Sequence, residues 1–210
     1  MSRRARSRPA AGRSAVRVAA VPPLYHFGVR LFAIFTMAML VAFWPSYFSR
    51  LAEQPSPHHH AHGLAMSLWL VLLIAQASLM RAGHRALHRR LGLLSYLLVP
   101  VIVIVTLRFV HYTLQGVPRL GASASALFFL ALVVMTLVVF VALFALAMLY
   151  RKQSAVHARF MVATLFPLFP PVTDRLIGRF MPSIIDSMPR IGGGPIVQCA
   201  GFAIADGILV

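Results

Sequence analysis

Apolar positions in this chain do not alternate with polar ones; they run in long blocks. Six blocks occupy 28–48, 61–80, 91–112, 125–150, 161–180 and 196–210. A helix needs about 20 residues to cross about 30 Å of hydrocarbon, and the first four blocks reach that length. They are too long and continuous for strands, and an open sheet would leave unpaired edges in lipid. The pattern predicts an all-α fold, a polytopic transmembrane helical bundle of six or more helices. Trp44-Pro45-Ser46-Tyr47 after the first block reads as an interfacial aromatic belt, so that block is kept as a helix and not as a cleaved signal. The fifth block is expected to bend, because Pro167, Pro170 and Pro171 each remove a backbone donor. The sixth block is still apolar at Val210, which sets the expectation of a C-terminal truncation.

Residues 1–22 are Arg-rich, Ala-rich and free of acids, and are expected to form a disordered basic cytoplasmic tail ahead of a transmembrane domain over 23–210. A transit peptide fits less well, and the Ser2-Arg3-Arg4 twin-arginine reading fails because the apolar run starts only near Leu31.

Composition strengthens the membrane reading. Hydrophobic residues make up 60% of the 210 and charged residues 11%, against about half and about a quarter in soluble domains. Net charge is +16, which in a soluble protein would suggest nucleic acid. The basic residues instead sit between the apolar blocks, where topology signals sit, so no nucleic acid is expected and the partner is the lipid bilayer. With the N-terminus in the cytoplasm, fourteen of the 20 Lys and Arg fall inside. They include Arg81, Arg85, Arg89 and Arg90 in one short loop and Arg151, Lys152 and Arg159 in another. The positive-inside rule favours that orientation in a bacterial inner membrane. Cys199 is the one cysteine, so there is no intrachain disulfide and no cysteine-based metal motif.

The nine histidines carry the candidate chemistry, and all lie at helix ends or in loops. Leu87-His88-Arg89-Arg90-Leu91 and Val156-His157-Ala158-Arg159-Phe160 share one pattern, apolar-His-x-Arg-apolar. Each stands at the cytoplasmic start of a helix. Ser95 and Thr164 follow seven residues later, then Pro100 and Pro170, a weak repeat of helix hairpins. His88 and His157 therefore share a depth. On the outer side, His62 opens the second helix and His111 closes the third, and these helices are antiparallel neighbours. His88 and His111 lie roughly 34 Å apart along one helix, close to a bilayer thickness. Arg90, Arg108 and Arg159 accompany the histidines, and arginine clamps carboxylates such as haem propionates. This constellation suits haem b held by axial pairs His88/His157 and His62/His111, with a redox partner or quinone to exchange electrons. A second reading places a metal ion on His58 and His62, spaced i,i+4.

Other polar groups lie in the apolar blocks. Gln76 is expected to hydrogen-bond between helices. Asp174 reads as an interfacial ion pair with Arg175 and Arg179, and Asp206 as a mid-membrane carboxylate. The fourth block is nearly free of polar residues and reads as a lipid-facing wall.

His60-Ala61-His62-Gly63, Trp69, Gln76, the His-Arg-x-Leu-Gly motif His88-Arg89-Arg90-Leu91-Gly92 and His157-Ala158-Arg159 resemble a family of uncharacterised bacterial multi-helix inner-membrane proteins. The resemblance spans roughly 45–175 and implies fold and location, but no activity. The plan of histidines at helix ends is also similar to di-haem transmembrane cytochromes of the ascorbate-reductase kind. This chain departs from it, since its third helix carries two of the histidines.

Three function classes follow. The first is a b-type haem-binding electron-transfer protein. The second is a non-catalytic assembly or sensing protein. The third is a transporter or metal-handling permease, for which only Asp206 offers a mid-span charge. Phosphate-binding loops, nucleophile elbows, zinc-protease motifs and dinucleotide fingerprints are absent from the sequence.

Overall fold

The computed structural model describes residues 23–53, 56–116, 124–192 and 194–209. The basic tail 1–22, the side chain of His26 and Arg119 lie outside the described residues. Helices dominate: α1 (Pro23–Phe43), α2 (Pro57–Arg81), α3 (Arg85–Gln115), α4 (Ala124–Leu149), α5 (Ser154–Ala163), α6 (Phe169–Phe180), α7 (Pro182–Ile185) and α8 (Gln198–Leu209). A two-residue hairpin, β1 (Arg190–Ile191) against β2 (Gly194–Pro195), leads into α8.

Every apolar block forms helix, but four crossings, not six or more, are long and apolar enough to span: α2, α3, α4 and the bent pair α5–α6. The apolar stretch of α1, Phe27–Phe43, is shorter. The sixth block yields only the 12 residues of α8, roughly 18 Å of helix.

Local chemistry sets the boundaries. α2 starts earlier than its apolar block because Ser56 caps it, accepting from the His58 N–H at 3.2 Å, with Pro57 in the first turn. Gly83, at φ +78°, supplies the left-handed turn between α2 and α3. α3 has 31 residues, longer than hydrocarbon requires, so both its ends reach polar depth. Between α5 and α6 the chain tightens into a 3-10 turn at Phe166–Leu168. Pro167, Pro170 and Pro171 cannot donate there, and the crossing bends as the sequence predicts.

The core lies mid-bundle. Trp69 is fully buried, edge-on to Phe140 at 5.1 Å and Phe144 at 5.9 Å, which joins α2 to α4. Phe35 of α1 meets Phe169 of α6 at 4.8 Å. The outward face of α4 is apolar and exposed at Met135, Val138 and Val139. Lipid takes the place of water there, so close contact rather than escape from solvent holds helix to helix. Gly201 shows how close: a Cβ on it would meet Pro170 Cα at 2.7 Å and overlap the Thr173 hydroxyl, so α8 lies backbone to backbone on α6.

Candidate functional site

Chemistry-bearing side chains gather at the two ends of the bundle. At the end where α3 and α5 begin, His88 and His157 come together. Their ring centroids are 6.4 Å apart with planes at 85°. The short turn after α4 brings α5 back along it, and the His157 Nδ1 lies 2.8 Å from the Ala147 carbonyl. A carbonyl only accepts, so Nδ1 carries the hydrogen and the lone pair sits on Nε2. His88 Nδ1 is buried with no partner. Gln76 of α2 is buried too, and neither its Nε2 nor its Oε1 finds a partner. The Gln76 side chain therefore does not form the interhelical hydrogen bond expected of it; the contact between α2 and α3 here is instead from the His88 imidazole to the Gln76 backbone. Gly92, one turn beyond His88, packs beside the Gln76 side chain: a Cβ there would make ordinary van der Waals contact, 3.5 Å from Gln76 Nε2. Above the pair, Arg151 Nη1 donates to the Tyr96 hydroxyl at 3.1 Å. Arg90 and Arg159 are exposed at this same end.

His62 and His111 are not brought together. His62 Nδ1 lies 3.1 Å from Thr106 Oγ1, and its ring stacks on Phe109 at 5.1 Å and 13°. His111 is two residues from Phe109, hence on nearly the opposite face of α3, where it is exposed and accepts from Gln115 Nε2 at 3.1 Å. Arg108 is exposed. His58 packs on Tyr112 at 5.0 Å. His60 Nδ1 is 3.2 Å from the Tyr47 hydroxyl, and burial pushes the Tyr47 pKa up. Among the described residues no group of three or more His, Cys, Asp or Glu is placed to hold a metal ion. His58 and His62 thus lack a third such ligand there.

This second end contains a cavity of about 430 Å³. Phe35, Met39, Met66, Leu70 and Phe140 form apolar wall, and His59, His62, Thr106, Tyr47 and Arg175 supply polar groups. Nothing in the pattern of residues marks Arg175 as a lining residue. Its guanidinium lies 4.2 Å over the Phe43 ring, and Nη1 donates to the Pro171 carbonyl at 2.9 Å. Asp174 lines a neighbouring recess with Gln198, its hydrogen-bond partner, and interacts with the Arg175 charge without coming within salt-bridge distance. Asp206 is exposed on α8 and forms no ion pair among the described residues.

No protein-family model matches the chain, and no curated protein or solved structure matches it either.

Proposed function

We propose that this chain is a multi-pass protein of the bacterial inner membrane, N-terminus in the cytoplasm, that holds one b-type haem through His88 and His157 and passes electrons. α1, with 21 residues, acts as a fifth crossing beside the four long ones. The observation that carries the reading is the approach of the two imidazoles from different helices. Two imidazoles that share one metal ion at about 2 Å per bond have ring centres roughly 6 Å apart, and these are 6.4 Å apart. His157 donates Nδ1–H to a backbone carbonyl, the support that metal-bound histidines commonly have. The His88 imidazole is engaged with the Gln76 backbone and keeps its Nδ1 buried without a partner. Haem would supply one-electron chemistry at its iron. The chain's own residues orient the two ligands and present Arg90 and Arg159 at the polar rim for propionates.

One observation favours a second reading. Both amide atoms of Gln76 lack partners in the same cluster, and a buried water bridging Gln76 and His88 would satisfy them without any cofactor. That bundle would suit the assembly or sensing role.

The two readings separate in a reduced-minus-oxidised visible spectrum of the full-length protein, purified in mild detergent after expression with haem supplied. The expected result is a sharp α-band and Soret band, lost in His88→Ala and in His157→Ala and kept in His111→Ala. A flat spectrum from folded protein, or one unchanged by His88→Ala, overturns the haem reading.

A further inference from the structure

We propose that the cavity at the opposite end of the bundle binds a single-chain anionic amphipath, a long-chain carboxylic acid, with its carboxylate on Arg175. This does not depend on the haem reading. Arg175 is the one Lys or Arg among the lining residues, and no Asp or Glu joins it there. No carboxylate lies within ion-pair distance of its guanidinium among the described residues. A guanidinium offers five N–H donors, of which the structure commits one to the Pro171 carbonyl. Asp174 acts on Arg175 electrostatically only from beyond ion-pair distance. A half-buried cation with no anion in contact is costly at membrane depth, and a carboxylate meets the planar fork with two parallel bonds. The nearest acid, Asp174, is turned to the recess it shares with Gln198.

Depth agrees with this assignment. Arg175 stands five residues before the end of its crossing at Phe180, about 7.5 Å along the helix axis. That is the level at which a fatty acid carries its head, with the tail directed inward. The inward wall is the apolar surface of Phe35, Met39, Met66, Leu70 and Phe140. At about 430 Å³ the space is at the low end of the range for small-ligand pockets, a size for one acyl chain rather than two. The facing pair, His62 and Thr106, bond to each other, and His59 keeps a buried Nδ1 without a partner, a further donor or acceptor beside the head position at Arg175.

The test is native mass spectrometry of the full-length protein in detergent, titrated with palmitic acid, hexadecanol or phosphatidylglycerol. Wild type should bind one palmitate at least tenfold more tightly than hexadecanol. Arg175→Gln should weaken palmitate at least tenfold, and the exposed control Arg108→Gln should leave it unchanged. Met39→Trp, which fills the tail space without touching the head, should abolish binding in protein that elutes as wild type on size exclusion. Equal affinity for acid and alcohol, undiminished binding to Arg175→Gln, or undiminished binding to Met39→Trp overturns the proposal. Phosphatidylglycerol binding more tightly than palmitate assigns the site to a two-chain lipid headgroup and overturns it as well.

Discussion

At one end of the bundle His62 bonds to Thr106, His60 to Tyr47 and Arg175 to a backbone carbonyl. At the other, His88 and Gln76 keep three buried polar atoms without partners, against one, His59 Nδ1, at the first. The end where most of these groups bond to the protein also holds the cavity. The end with unmet hydrogen bonds has its histidines in close approach. Burying a polar atom without a partner costs free energy, so the unmet end is the one that asks for another molecule. The cavity end, with fewer unmet groups, offers space and one cation.

The strongest way to break this contrast is at α8. Gly201→Ala would drive a Cβ into the Pro170 backbone, which cannot rotate away as a side chain would. Overpacking of this kind costs about 1–3 kcal/mol, and displacing α8 would also move Gln198 from the cavity wall. A lowered unfolding midpoint in detergent is the expected outcome; an unchanged one would mean that α8 is not seated on α6. A smaller effect is expected from Thr106→Val. It keeps the shape but leaves His62 Nδ1 without its partner, and should cost about 1 kcal/mol. The smallest loss belongs to the other end. Gln76→Leu removes two buried atoms that already lack partners, so it should cost nothing and stabilise the haem-free protein by up to about 1 kcal/mol. A loss as large as that of Thr106→Val would show that the amide is bonded after all, and the two ends would no longer differ.

Much of this was legible in the sequence, and the rest was hidden for a physical reason. Helix positions followed from block length because lipid tolerates few alternatives to a helix. The meeting of His88 and His157 followed from a repeat of similar hairpins, in which equal depth is fixed by local chain length. The outer pair failed because equal depth says nothing about face. Phe109, not His111, turns toward His62. The arginines chosen for their closeness in sequence to histidines, Arg90, Arg108 and Arg159, are exposed. Arg175 came from contacts between α1 and α6, far apart in sequence, and its neighbour Asp174 invited a simple ion pair. The count of crossings fell because α8 is short and the described apolar part of α1 covers only Phe27–Phe43.

The chain has two tryptophans, and their surroundings make them separate optical instruments. Trp69 is wholly enclosed by the rings of α4, while Trp44 is 59% exposed beside the end of α1. Indole emission shifts to longer wavelength as its surroundings become polar, so the blue component comes from Trp69 and the red component from Trp44. The blue signal registers any loosening of α2 from α4, and the red one registers how the first helix sits at the bilayer surface. The protein can thus report on its own interior and its own boundary at once, without an attached dye.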